Sequence, residues 1–320
     1  MRLNALLPIL LGTVFSAPAL AANAYPSKPI RLVSPYSPGG GNDLIARAVA
    51  AKLSDHLRQT VIVENREGGG GNIGTDYVAK AAPDGYTLLM TAQSLTIRPA
   101  LFKQLPFSVT KDFVALGIVG SFPLMFLSHP KVGFDSIQGL VDYSKKNPDK
   151  LTYATPGVGT TQHIAMELFK AETGAELLHI PYKGASKAVI DSVSGEVSVL
   201  VSTPSSVMNH VETGRLNILG TGETKRLASL NNAPTIGETV RGYSVNNWLG
   251  VMAPTGTPQN IVDQLDRTLV EICKDADFIR ELAASGFVVQ SQNAKEMAKQ
   301  VDEDIKKWTA VITSKNISIE

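Results

Sequence analysis

Cysteine is nearly absent from this 320-residue chain: Cys273 stands alone, so no internal disulfide can form. It lies in VDQLDRTLVEICKDADF, a segment of helical period, and reads as a small buried hydrophobe rather than a nucleophile. An excess of either charge is also missing. Lys+Arg total 30 against 29 Asp+Glu, which argues against a nucleic-acid or polyanion binder. The familiar signatures of catalysis are absent too: no G-x-S-x-G elbow, no H-E-x-x-H and no Walker A sequence. The histidines (His56, His129, His163, His179 and His210) are scattered without metal-ligand spacing. No cofactor and no metal are expected.

Long apolar runs are missing except at the N-terminus. There Met1-Arg2 opens a short basic region, ALLPILLGTVFSAPALA follows, and Ala19-Leu20-Ala21 supplies an A-x-A cleavage pattern. This is the pattern of a secretory signal peptide over residues 1–21, too short and wrongly flanked for a membrane span. Ala24 offers an alternative cut. Loss of Arg2 leaves 29 Lys+Arg against 29 Asp+Glu. With 43% hydrophobic and 18% charged residues, the remainder has globular composition and enough length for a core that needs no disulfide.

The chain then alternates strand and helix patterns. KPIRLVSPY reads as a strand, SPGGGND as a glycine turn and LIARAVAAKLSDHL as an amphipathic helix. VIVEN is a strand, REGGGG a loop, NIGTDYVAKAA a helix, and YTLLMTA a strand ending at Gln93-Ser94. This β-α-β-α-β order builds an open parallel sheet. The order recurs from residue 150: KLTYA, TPGVGTT, QHIAMELFKAETG, ELLHIPY, KGAS, KAVIDSVSG and EVSVLVS, ending in STPSS. Ser37-Pro38-Gly39 corresponds to Thr155-Pro156-Gly157. Two such units suggest two lobes, with the chain crossing between them near 120–126 and 243–250. The long amphipathic helices after residue 260 are expected on the outside of one lobe.

Ligands of open α/β sheets sit beyond the carboxyl ends of the strands. Facing lobes would therefore bring SPGGGND, REGGGG, Gln93-Ser94, TPGVGTT, PYKG and STPSS to one cleft. Helix N-termini there offer unpaired N–H groups and partial positive charge, a natural seat for a carboxylate. Ser37, Thr160, Thr161, Ser202 and Thr203 offer hydroxyls, or serve as caps and turn residues. Asp43, in a first helical turn, either complements the helix dipole or accepts from a ligand or a bound water. His163 opens a helix beside the cleft, as a ligand contact or a cap. Tyr182 packs on a ligand or on the core, Trp248 is a hinge or core aromatic, and Lys183 reads as a solvated cation.

One motif points elsewhere. Gly69-Gly70-Gly71-Asn72-Ile73-Gly74 matches G-x-G-x-x-G between a strand and a helix. A dinucleotide site also wants an acidic residue at the end of the next strand. YTLLMTAQS ends without one, and the first glycine comes several residues after VIVEN.

Five stretches carry a family resemblance: YPSKPIRLVSPYSPGGGNDLIAR, VIVENREGGGGNIGTDYVAKAAPDGYTLL, YATPGVGTTQHIAMELF, HIPYKG and NWLGVMAPTGTP. They resemble the Bug receptors, the extracytoplasmic solute-binding proteins of tripartite tricarboxylate transporters, in order and over essentially the whole mature chain. SLTIRPAL departs from the commoner Ser-His-Ala type of sequence. The resemblance implies a periplasmic α/β protein with the two-lobed periplasmic-binding-protein (Venus flytrap) fold, two doubly wound sheets joined by a two-strand hinge. Lobe 1 would span 22–123 plus 248–320, and lobe 2 would span 124–247. It implies capture of a small organic acid for a membrane permease, by a monomer that catalyses nothing. The resemblance puts ligand contacts at Ser37 to Asp43, Gly157 to His163 and Pro181 to Gly184; with the strand-end residues, the expected ligand-binding set is Ser37, Pro38, Gly39, Asn42, Asp43, Gln93, Ser94, Gly157, Val158, Gly159, Thr160, Thr161, His163, Tyr182, Lys183, Gly184, Ser202 and Thr203. A secreted α/β enzyme acting on such an acid, or a periplasmic sensor partner, are the alternatives.

Overall fold

The computed structural model describes residues 25–318; the signal peptide read over residues 1–21 lies outside them. The first unit forms as expected: β1 (Ile30–Ser34), α1 (Gly41–Leu57), β2 (Val61–Asn65), α2 (Asn72–Ala79) and β3 (Thr87–Ala92). β1 pairs in parallel with both β2 and β3. After α3 (Ser94–Leu101), β4 (Phe113–Pro123) leads out of this sheet and β5 (Met125–Ser128) enters a second one. The second unit then runs α4 (Ile137–Lys146), β6 (Thr152–Thr155), α5 (Thr161–Thr173), β7 (Leu178–Pro181), α6 (Ala185–Ser194), β8 (Val199–Ser202), α7 (Pro204–Glu212) and β9 (Asn217–Thr221). β10 (Asn246–Pro254) returns to the first sheet, followed by α8 (Gln259–Ile272), α9 (Ala276–Ala284), β11 (Val288–Asn293) and α10 (Ala294–Ser314).

The sheets are ordered β11-β4-β10-β3-β1-β2 and β7-β6-β8-β5-β9. Both are mixed rather than purely parallel, and the crossings are the reason. β4 leaves the first sheet at the end where β3 also finishes. A strand that comes back from the other lobe must start at that end, so β10 runs antiparallel to β3 and β4. β5 is antiparallel to β8 and β9 on the same account. Gly222, just after β9, is hydrogen-bonded to both crossing segments: its amide donates to Leu124 O at 2.9 Å, and the Val245 amide donates to Gly222 O at 3.0 Å.

Period-2 alternation puts apolar side chains on both faces of each sheet. In the first, Ile30, Leu32, Leu88 and Met90 pack under α1 and α8, whereas Val33 and Leu89 pack under α2 and α10. In the second, Tyr153, Val199 and Val201 pack under α4 and α5, whereas Ala154 and Leu200 pack under α6 and α7. Cys273 is buried in the first core, where burial pushes its thiol up to about 11. No described helix is long and apolar enough to cross a membrane.

α10 departs from the expectation that the late helices cover one lobe. Its first half puts Met297 and Val301 into the first lobe's core. Its second half puts Trp308 and Ile312 into the second lobe's core. A helix of 21 residues spans about 30 Å, long enough to serve both. Trp308 is fully buried, so Trp308→Ala is expected to cost about 3–5 kcal/mol through lost burial and the cavity left behind. Urea unfolding checks it; a loss within about 0.5 kcal/mol, the range of surface changes, would mean the helix end is not part of that core.

Candidate functional site

The strand ends and helix starts of both units meet between the sheets. One cavity there is lined by Tyr36, Ser37, Gly40, Gly41, Asn42, Ala92 and Phe122 from the first half of the chain. Pro156, Thr160, Thr161, Gln162, Gly184, Ala185, Ser202 and Thr203 line it from the second unit, and Asn247 and Leu249 from β10. Its volume is about 50 Å³, several times the roughly 10–15 Å³ that one water needs. The N-termini of α1, α5, α6 and α7 all reach this wall, through Gly41, Thr161, Ala185 and Thr203. α1, α6 and α7 start without a side-chain cap hydrogen bond. The first amides of α1 and α6 therefore stay available; α7 opens on Pro204, which has no N–H, and each terminus carries roughly +0.5 of a charge. Thr161 Oγ1 is buried and has no partner within the protein.

Several expected residues act one step behind this wall. Asp43 is 4% exposed and is absorbed by its own loop. It accepts from the Gly39 amide at 2.9 Å, from Arg47 Nε at 3.0 Å and from Asn65 Nδ2 at 2.8 Å. Burial pushes its carboxyl up, but donation from Arg47, Gly39 and Asn65 outweighs that and holds it below the usual range. Pro38 and Gly39 are thereby fixed as the turn into α1. Asn42 lines the cavity while its amide is set by Ser34 Oγ, at 2.7 Å. Thr160 caps α5: its Oγ1 accepts from the His163 amide at 3.3 Å and donates to Gly157 O at 2.7 Å. Gln93 and Ser94 are buried beside the crossing. Tyr182 and Lys183 line a neighbouring cavity with Gly157 and Val158.

His163 and His179, distant in sequence, are stacked with ring centroids 4.2 Å apart, and Tyr153 stacks on His179 at 4.6 Å. The Gly159 amide donates to His163 Nδ1 at 3.2 Å, so the ring anchors the glycine turn from behind. Burial lowers His163 to about 4, helped by Lys170. Burial, then the facing His163, lowers His179 to about 3. Both rings are neutral when folded.

Asn247 and Phe122, paired across β10 and β4, went unmarked in the sequence, as did Tyr36. The signal was the period of 2 in VNNWLG. Trp248 turns to the opposite face, where its Nε1 donates to Asp304 Oδ2 at 2.8 Å, and its neighbours Asn247 and Leu249 therefore face the cavity.

The glycine-rich loop closes the cleft at its edge. Gly70 has φ +63°, and a Cβ there would lie 2.0 Å from Val158 O on the opposite lobe. At Gly184 a Cβ would lie 2.0 Å from Ser37 Oγ, itself 2.6 Å from Lys183 O. Behind the loop lies Arg98, 1% exposed. Its guanidinium donates to Gly70 O at 2.7 Å, to Thr75 Oγ1 at 3.1 Å and to Tyr36 OH at 3.4 Å. The glycines thus serve backbone contact between lobes and around a buried cation.

Comparison with known proteins places this geometry. Residues 45–317 match the family model described as the tripartite tricarboxylate transporter family receptor. The chain belongs to that family. It is 34% identical to Protein BugT of Bordetella pertussis over 97% of this chain and 96% of that one. A solved R. palustris protein "with adipate" is 29% identical with a TM-score of 0.88, covering 92% of this chain and 99% of that one. MatC from Rhodopseudomonas palustris "with bound malate" is 25% identical with a TM-score of 0.85, covering 90% and 100%. The receptor therefore has the two-lobed solute-binding architecture, and the cavity lies in its interlobe cleft.

Two expectations arise from this geometry. In Gly70→Ala the new methyl meets the Val158 carbonyl, which is backbone and cannot step aside. Ligand affinity should fall by tenfold or more, about 1.4 kcal/mol, and small-angle scattering of the ligand-saturated variant should show a more open particle than the parent. Equal affinities and equal profiles would mean that the lobes do not meet there. The second concerns pH. The unfolded imidazoles bind protons near 6.5, the folded ones only near 4 and 3. Their stabilising contribution is therefore full above pH 6.5 and is lost as pH falls toward 3. Melting temperature against pH should fall less steeply in His179→Gln than in the parent; parallel curves would show that the ring gains no proton on unfolding.

Proposed function

We propose that the protein is exported to the periplasm, captures a small organic carboxylate in the interlobe cleft as a monomer, closes on it, and delivers it unchanged to a tripartite tricarboxylate-type permease. The observation that carries this reading is the convergence of four helix N-termini on a cavity that no acidic side chain of the described residues lines. Unpaired amides and aligned dipoles stabilise an anion without a formal ion pair. Ser37, Asn42, Thr160, Thr161, Gly184, Ser202 and Thr203, all on the cavity wall, are the residues placed to touch the ligand or its bound waters. Pro38, Gly39, Asp43, Gln93, Ser94, Gly157, Val158, Gly159, His163, Tyr182 and Lys183 hold those loops in place. The acids named with two solved relatives, adipate and malate, support the chemical class. A ligand that prefers the closed form shifts the equilibrium by its differential affinity for that form, and the closed form is what the permease would read.

Thermal shift and calorimetry on the mature protein, with carboxylates, amino acids and neutral sugars, test this. At a hundredfold excess over Kd, a bound acid should add about 2.7 kcal/mol of stability and be recovered chemically intact. Consumption of the acid would make the protein an enzyme. Stabilisation by sugars but by no acid would remove the carboxylate from the reading.

A further inference from the structure

We propose that the receptor has a second ligand site, an outer chamber between the lobes that takes a flat aromatic ring bearing an anionic group. This site does not depend on what fills the cleft cavity described above.

The chamber has a volume of about 300 Å³, at the lower end of the roughly 300–1,000 Å³ of small-molecule pockets. Tyr36 and Pro156 line both it and the cleft cavity, and so form the partition between them. Tyr36 is held in place: its OH lies 2.7 Å from Ser94 Oγ and accepts from Arg98 at 3.4 Å. With the partition fixed, an occupant of the outer chamber needs no room in the inner one. Both lobes build the walls. Gly68–Gly71 come from the first unit, whereas Gly157, Val158, Tyr182 and Lys183 come from the second. The two sides meet where a Cβ on Gly70 would lie 2.0 Å from Val158 O. An occupant therefore contacts both lobes at once.

The walls are flat and firm. Gly68, Gly69, Gly70 and Gly71 all have positive φ, a conformation that suits glycine, so this side of the chamber offers bare peptide planes. Rings supply the rest, from Tyr36, Phe102 and Tyr182. Phe102 rests on the second lobe's glycine turn, where a Cβ on Gly159 would lie 2.8 Å from its Cε2. Tyr182 OH donates to Asp191 Oδ2 at 2.8 Å. Braced rings offer stacked or edge-on contact to another ring, and a puckered aliphatic body of the same size touches such planes at fewer points.

The charge follows from Lys183. Among the described residues it is the one charged side chain on this wall, and it is exposed, so its ammonium stands at the mouth. Glu67, which precedes the glycines, is hydrogen-bonded to Ser37. A ring inside and an anionic group beside the lysine match this division. An exposed ion pair contributes up to about fivefold in affinity, so the ring is the larger part of recognition and the charge the smaller.

Calorimetry on the mature protein with 1-naphthoate, its saturated counterpart decalin-1-carboxylate, and uncharged 1-naphthamide tests the class. Naphthoate is expected to bind at least tenfold tighter than the decalin acid and about two- to fivefold tighter than the amide. Lys183→Gln should erase the difference between naphthoate and the amide. Phe102→Ala should weaken naphthoate at least tenfold. A crystal structure of the complex fixes the place, with the ring expected beside Phe102. Four results would each overturn the inference: no binding of naphthoate, equal binding of the two acids, a naphthoate-to-amide ratio that Lys183→Gln leaves unchanged, or a ring beside Phe122 in the inner cavity. Any of them leaves the reading of the cleft standing. Lys183→Gln changes one exposed side chain, so it carries the comparison where Phe102→Ala does not fold.

Discussion

The meeting of the N-termini of α1, α5, α6 and α7 at one cavity wall is the constraint on which the rest of this receptor depends. The N–H groups there that no cap takes up must be answered by water or by an anion. Everything around them keeps those donors free. Asp43, the one acidic group in the first turn of α1, is turned away and absorbed by Gly39, Arg47 and Asn65. His163 braces the second-lobe turn from its protein side as a neutral acceptor. An acid facing the cleft would cancel the field that the dipoles create, and a charged imidazole would lose its ability to accept from Gly159.

The same economy explains the glycine run that resembles a nucleotide-binding fingerprint. In a dinucleotide site the glycines admit a pyrophosphate to a helix start. Here the space beside Gly70 holds the opposite lobe's Val158 carbonyl, and Gly71 lies against Arg98. Backbone meets backbone where a phosphate would otherwise lie. The absence of an acid after β3 separated the two possibilities in the sequence, because that is the one residue the fingerprint needs and a lobe contact does not.

Family, two-lobed architecture and the two repeated units were legible because each rests on local signals: alternation, turn glycines and helix periods. What was not legible depends on the path of the chain through space. The antiparallel strands follow from the return crossing, which no local pattern carries. Asn247 was hidden because Trp248, the conspicuous neighbour, draws attention to the wrong face of the strand. Asp43 stood open between two roles until its three donors were in view, and two of those, Gly39 and Arg47, lie within four residues of it. Pairing of β6 with β7 brings Tyr153 beside His179, and His163 from α5 stacks on the same ring, so the stack becomes visible only with the sheet register.

α10 ties these parts into one mechanism. Its side chains enter both cores, and midway along it Asp304, 4% exposed, accepts from Trp248 Nε1 at 2.8 Å and Gln300 Nε2 at 3.0 Å. Trp248 belongs to the strand that returns from the second lobe, and its carbonyl accepts from the Gln93 amide at 3.0 Å. A buried carboxylate keeps a hydrogen-bond donor only at fixed distance and angle, so the helix cannot slide along β10 without losing it. The crossing segments around Leu124 and Val245 are held differently, through Gly222 and by backbone hydrogen bonds alone.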